Sequence, residues 1–235
     1  RAQGYRTLDG LVVSHADMDH SGGLRSVLSL VAVGRAYSSF DLPALINKQS
    51  MSKTAAELFV PLRMPQSMAR CQAGQSWDVD GVQFRFLHPD VMAKADTPGN
   101  AQSCVLMIRG ASHTALLTGD IGVAQERALA AYLPHIDVVM APHHGSTTSS
   151  SEALVRAAGA DHVIAQAGYM NRFGHPAPAV QARWTDAGAN FWRTDHDGAI
   201  VAMSEPQGLR VQSQACVARR YWHGNLPPST CLDSG

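Results

Sequence analysis

The sequence has no net charge: nineteen basic and nineteen acidic residues cancel over 235 positions. A neutral chain exerts no long-range pull on DNA or anionic lipid, so any polyanion contact must come from a local patch. Charged residues are sparse at 16%, against about a quarter in ordinary globular chains. With 45% apolar residues, that balance excludes intrinsic disorder and gives enough apolar material for a core. Long hydrophobic runs are also missing. The longest, Leu24 to Val33, is broken by Arg25 and two serines and is too short to span a bilayer. No signal peptide is visible, and position 1 is Arg rather than Met, which suggests a fragment or a processed chain. Finally there is no CxxC. Cys71, Cys104, Cys216 and Cys231 are too scattered for a zinc knuckle or a dense disulfide framework. Cys216 and Cys231 bracket a Pro-rich tail and could form one bridge, but isolated thiols are the expectation, with Cys104 a small buried hydrophobe.

What is present is histidine, eleven residues, several of them with Asp in loops at the ends of predicted strands. Leu11 to Val13 reads as a buried strand, and Gly22-Gly23 opens a helix over Leu24 to Val31. Between Phe40 and Gln75 prolines interrupt every pattern, and only a helix near Thr54 to Phe59 is expected. Gly81 to Leu87 alternates as a strand should, and Val105 to Ile108 with His113 to Leu117 reads as a hairpin. Helices are expected over Ala124 to Leu133, Ser151 to Ala158 and Ala179 to Ala187. Strands are expected over Asp137 to Ala141, His162 to Ala165, Phe191-Trp192, Ala199 to Met203 and Leu209 to Val211. Alternating strands and helices indicate a layered α/β architecture. One large domain is favoured over two small ones, covering residues 1–215, with 216–235 as a loop-like tail.

The chemistry is concentrated in four loops. Ser14 to Gly23 packs His15, Asp17, Asp19 and His20 into six positions directly after a strand. Alternate residues of an extended turn project to one side, so His15, Asp17 and Asp19 can face together while His20 turns away, enough to serve two metal ions from one loop. Thr118-Gly119-Asp120 places a carboxylate just beyond a buried strand, where it could bridge two cations. Pro142-His143-His144-Gly145-Ser146 follows the next strand, and adjacent histidines point to opposite sides, one a ligand and the other a supporting or phosphate contact. Asn171 to Pro176 is a polar loop suited to substrate contact or proton transfer.

These motifs resemble the metallo-β-lactamase fold. Ser14, Gly22-Gly23, Asn171 to Pro176, Thr194-Asp195 and Asp197 to Ala199 narrow the resemblance to the C-terminal domain of ComEC-type DNA-internalization competence proteins, over Tyr5 to Val211. The resemblance implies a four-layer αββα sandwich. It also implies one metal at His15 and Asp17, a second at Asp19, His20 and His144 (with His143 as the alternative), and Asp120 bridging them. Asp19 and His175 would act catalytically, and Asn171, Ser146, Asn100 and Ser103 would contact substrate.

Two departures matter. Asp17 stands where many fold members have His, and the interval before Asp120 offers only His88 and His113, whose settings read as structural; Asn100 and Ser103 occupy the region instead. An oxygen-rich first site favours manganese or magnesium over zinc, though zinc stays open. The N-terminal strands that carry Asp-x-Gly-x-Gly in relatives are absent, which marks the chain as N-terminally truncated and predicts exposed sheet edges and poor solubility. His135, His162 and His223, as isolated residues, read as structural or surface histidines, and His196 as part of a turn near the site. Trp184, Trp192, Trp222 and Tyr221 read as packing residues, and Arg219-Arg220 as a weak backbone-contact patch.

The function so implied is a metal-dependent DNA phosphodiesterase on an inner-membrane competence protein, facing the periplasm. Its partners would be DNA and the channel portion of the same polypeptide, with no small-molecule cofactor. Two rivals stand beside it: another hydrolase of the fold (lactonase, thioesterase or phosphorylcholine esterase), and a catalytically silent DNA-binding or channel module.

Overall fold

The computed structural model describes residues 4–51, 61–90 and 99–218. The helix expected near Thr54 to Phe59, and Arg219 to Trp222, His223 and Cys231, lie outside the described residues. Two compact units divide the chain, one drawn from 1–75 and 86–105, the other from 76–85 and 106–235.

The first unit opens with β1 (Thr7–Val13), the single turn α1 (Met18–Ser21) and α2 (Leu24–Leu30). It continues through β2 (Ala32–Ser38), α3 (Leu42–Met51) and β3 (Ser67–Arg70). The three strands pair in parallel in chain order, so each link must cross over, and helices supply the crossovers. Leu24 and Leu28, one helical turn apart, face Val13, Val33 and Ala36, and Leu42 and Ile46 of α3 repeat that spacing against the same core. Gly22 is required between the two short helices: a Cβ there would lie 2.5 Å from the Met18 carbonyl oxygen. Cys71, just past β3, is joined to Cys104 by a disulfide, which corrects the expectation that these cysteines are isolated thiols. Both are buried.

A sheet of seven strands runs in the order β10-β9-β8-β7-β6-β5-β4. They are β4 (Ser76–Val79), β5 (Val82–His88), β6 (Val105–Arg109), β7 (Thr114–Leu117), β8 (Val138–Met140), β9 (His162–Ala165) and β10 (Asn190–Arg193). The expected hairpin is there as the antiparallel pair β6 and β7, while β7, β8, β9 and β10 run parallel. Between them come α4 (Val123–Ala130), α5 (Glu152–Ala158) and α6 (Pro178–Asp186). Ser151 accepts the Leu154 N–H and starts α5. The chain then passes α7 (Thr194–Asp197), the antiparallel pair β11 (Ile200–Glu205) and β12 (Gly208–Ser213), and α8 (Gln214–Val217). Residues 216 and 217, expected as loop, therefore finish a helical turn. Cys216 is disulfide-bonded.

Leu116, Val139 and Val163 lie fully buried at the centre of this sheet, and Trp184 closes α6 over the core. A fully buried carboxylate accompanies them. Glu126 of α4 accepts the N–H groups of Ser150 and Ser151, 2.6 Å each, one to each carboxylate oxygen, and so ties α4 to the turn before α5. Glu126→Gln keeps one acceptor and turns an amide toward the other donor. An unfolding titration in urea should show a loss of about 1–3 kcal/mol, the cost of one unsatisfied buried donor; a change under a few tenths would refute the role. Because β7, β8, β9 and β10 are parallel, their C-terminal ends share one sheet edge, and the loops leaving that edge carry Asp120, the two adjacent histidines, His175 and Asp195.

Candidate functional site

In the first unit the donors sit on the loop that leaves β1. His15 is fully buried and His20 half-buried, their rings 4.1 Å apart and tilted. The Ser14 hydroxyl lies 3.1 Å from the Nδ1 of each. One hydroxyl oxygen has two lone pairs and one proton, so it can pair with both rings at once and hold them side by side. Their Nε2 atoms turn toward carboxylates, His15 to Asp17 Oδ2 at 3.7 Å and His20 to Asp19 Oδ2 at 3.9 Å. Ser103 is fully buried, with its hydroxyl 3.3 Å from His15 Nδ1. The expected substrate contact is therefore a support for the histidine. His88 donates from Nδ1 to the Ser103 carbonyl at 3.0 Å, and burial lowers its pKa against the opposing pull of that bond and of Asp90. Asn100 starts a single helical turn in the same unit.

In the second unit Asp120 is buried just past β7, and its Oδ2 lies 3.8 Å from His143 Nε2 and 3.6 Å from His144 Nε2. Both histidines are thus turned to one carboxylate. Both also adopt positive φ, 49° and 56°, a strained conformation for residues with a Cβ. Gly145 follows at φ 80°, where a Cβ would meet Pro176 Cβ at 2.7 Å. His144 Nδ1 donates to the Gln166 carbonyl at 2.9 Å, which fixes the tautomer with Nε2 unprotonated, as a ligand requires. His143 Nδ1 has a longer approach to Thr148 Oγ1, 3.5 Å. Ser146 pairs with the same Thr148 hydroxyl at 3.0 Å and is buried, so it braces the turn. His175 packs 6.0 Å from the His143 ring. Burial lowers its pKa, with His143 and His144 adding to the effect and Asp120 opposing it.

The four imidazole–carboxylate separations, 3.6 to 3.9 Å, are too long for N–H···O bonds, which end near 3.2 Å. Two ligands on one tetrahedral ion stand about 3.4 Å apart. Imidazole nitrogens facing carboxylates at this spacing fit divalent cations.

A model of the metallo-beta-lactamase superfamily matches residues 2–168. The chain belongs to that superfamily. Within it, the chain is 33% identical over 224 residues to competence protein ComA of Neisseria gonorrhoeae, covering 94% of this chain and 29% of ComA. It is 32% identical over 179 residues to recombination protein 2 of Haemophilus influenzae, covering 75% of this chain and 20% of the relative. The chain thus spans less than a third of the length of these relatives. Among solved structures, the diiron β-hydroxylase CmlA from Streptomyces venezuelae aligns with TM-score 0.53 over 90% of this chain and 46% of CmlA, at 14% identity. That likeness speaks for the fold.

Several residues that organise this metallo-β-lactamase domain escape a reading by motif. Ser14 belongs to the quoted motif, but its bridging of two rings depends on a turn. Gln166 contributes only a backbone oxygen, and Glu126 acts from a helix whose sequence looks like a solvated surface. His135, expected to be isolated, lies 3.9 Å from Asp137 and 3.6 Å from Asp161, but Asp137 is already engaged by the Thr114 N–H at 2.6 Å. His162 accepts from Trp192 Nε1 at 3.1 Å, and His113 meets the Ser204 hydroxyl at 2.8 Å. Among the described residues no helix is long and apolar enough to cross a membrane.

Proposed function

We propose that this domain is a divalent-metal phosphodiesterase acting on DNA. His15, Asp17, Asp19 and His20 would supply one group of ligands, and Asp120 with His144 the other. His143 would either replace His144 or meet the phosphate. The observation that carries the reading is Asp120, a buried carboxylate whose one oxygen is faced by two imidazole Nε2 atoms. Divalent cations bound by such donors polarise a phosphoryl oxygen and neutralise charge that develops on it. Carboxylate-rich donors around His15 favour manganese or magnesium over zinc.

Asp19 belongs to the proposed ligand group and would orient the attacking water. His175 supplies the proton. Its lowered pKa leaves the free ring neutral near pH 7, and an arriving phosphate anion raises it again, so the ring charges on binding and donates to the leaving oxygen. Asn171 acts at one remove: its side chain donates to the His175 carbonyl and accepts the His175 N–H, at 2.7 and 2.9 Å, so it holds the loop in place. Similarity to a competence protein and a recombination protein supports DNA as substrate, and the resemblance to ComEC-type proteins implies a membrane-embedded parent. The Cys71–Cys104 disulfide supports a periplasm-facing position, since such bonds persist in oxidising compartments.

Purified protein should cleave DNA and bis(4-nitrophenyl) phosphate when manganese or magnesium is added, and lose both activities with a chelator. Turnover of lactones, thioesters or phosphorylcholine esters without diester cleavage would replace this reading with that of another hydrolase of the fold.

A further inference from the structure

Between β9 and α6 the loop from Gly168 to Pro176 displays large apolar side chains instead of hiding them. Tyr169 is 82% exposed, Met170 83% and Phe173 67%. Single exposed apolar residues are commonplace; three within five positions on one loop mark an interaction surface. The loop is also pre-shaped. Asn171 clamps the His175 backbone in both directions and donates to the Gly168 carbonyl at 3.1 Å, and backbone bonds link Asn171 to Gly168 and Gly174 to Asn171. The rings are therefore presented on a fixed frame.

The chemistry around them is cationic and aromatic. The Arg172 guanidinium lies over the Phe173 ring, 4.9 Å from its centre. Phe173 stacks on His175 with rings 5.8 Å apart and 17° between planes. No acidic residue occurs from His162 to Thr185, while Arg172 and Arg183 do. Beside the loop lies a cleft of about 390 Å³, lined among others by Tyr169, Asn171, His175, Arg193 and His196, and by Asp195, which is paired to Arg193.

We propose that this loop is a stacking platform for single-stranded nucleic acid, with bases on Tyr169 and Phe173 and backbone phosphates drawn to Arg172. The proposal rests on the phosphodiesterase reading and adds where the strand lies and in which form. Aromatic faces bind every base without sequence preference, and arginine supplies the phosphate contact. A duplex has its bases already stacked on one another, so the platform selects unpaired strand. An apolar loop with one arginine also suits a membrane surface. The unbroken packing from Phe173 through His175 to His143 favours a substrate that bears phosphate.

The test is fluorescence anisotropy of a labelled twelve-nucleotide thymidine strand, and of a duplex of equal length, in a chelator so that nothing is cleaved. Tyr169→Ala and Phe173→Ala should each weaken single-strand binding on the order of tenfold, and the double variant more. Phe173→Trp should restore it. Tyr132→Ala, which removes another exposed tyrosine of the same unit, should change nothing. Equal affinity of wild type and double variant for the single strand overturns the proposal, as does binding to anionic phospholipid vesicles with none to the strand. Bis(4-nitrophenyl) phosphate hydrolysis separates the two claims. Hydrolysis without strand binding sinks the platform alone, whereas strand binding lost with the rings but no hydrolysis sinks the phosphodiesterase and keeps the platform.

Discussion

Asp120→Asn should remove at least about a hundredfold of phosphodiesterase turnover and most of the bound metal. Residues that merely support metal ligands already cost about 10–100-fold when changed, and Asp120 stands in direct reach of two imidazoles. Asparagine preserves the shape and one oxygen. It deletes the negative charge and can offer an N–H₂ where a cation needs a donor lone pair. Because the site is buried, water cannot substitute for the lost carboxylate. Metal content by plasma mass spectrometry should fall relative to wild type, a readout that does not depend on activity. Stability without metal should stay level or rise, since a buried charge lacking its cation is costly. Asp195→Asn gives the contrast: that carboxylate forms a two-pronged pair with Arg193, at 3.1 and 2.7 Å, and its loss should cost folding while metal content holds. Equal metal occupancy in wild type and Asp120→Asn would remove Asp120 from the ligand group.

The elements that place these donors were legible wherever the local pattern and the tertiary context agreed. β5, the β6–β7 hairpin, β9 and the helices α4, α5 and α6 follow the periodicity of their own residues, whereas the single turns α7 and α8 do not. β2, α3, β3 and β4 did not show themselves. β2 has a parallel neighbour on each side, so no one-sided alternation is needed, and Gly34 and Arg35 dilute its apolar run. The loops that carry the proposed ligands stood out because chemistry crowds them into a few positions after strands. Their supports were not, because the partners come from afar: Ser103 meets His15 across 88 positions, and Glu126 meets Ser150 across 24. Ser103 and Ser146 carried the residue types of substrate contacts, yet burial turns both inward. Four cysteines allow three pairings, and nothing in their spacing selects Cys71 with Cys104.

That disulfide makes the second large effect. It closes a loop of 33 positions, and the chain-entropy relation assigns about 3–4 kcal/mol to such a crosslink. The bond also sits beside the ligand loop. The Cys104 N–H donates to the Ser14 carbonyl at 2.9 Å, and the neighbouring Ser103 approaches His15 and receives the bond from His88. Replacing both cysteines with serine should therefore lower the urea midpoint by an amount equivalent to about 3–4 kcal/mol with the slope against denaturant little changed. Dithiothreitol should lower the wild-type midpoint at least as far, because it also opens the bond at Cys216, and should act on the variant through that second bond alone. Metal affinity should fall as well, since His15 loses a fixed support, whereas Glu126→Gln, which loosens the other unit, should spare it. Thiol titration of denatured, unreduced wild type would decide the premise: if Cys71 and Cys104 react as free thiols in protein secreted to the periplasm, the crosslink is not formed there and the stabilisation attributed to it vanishes.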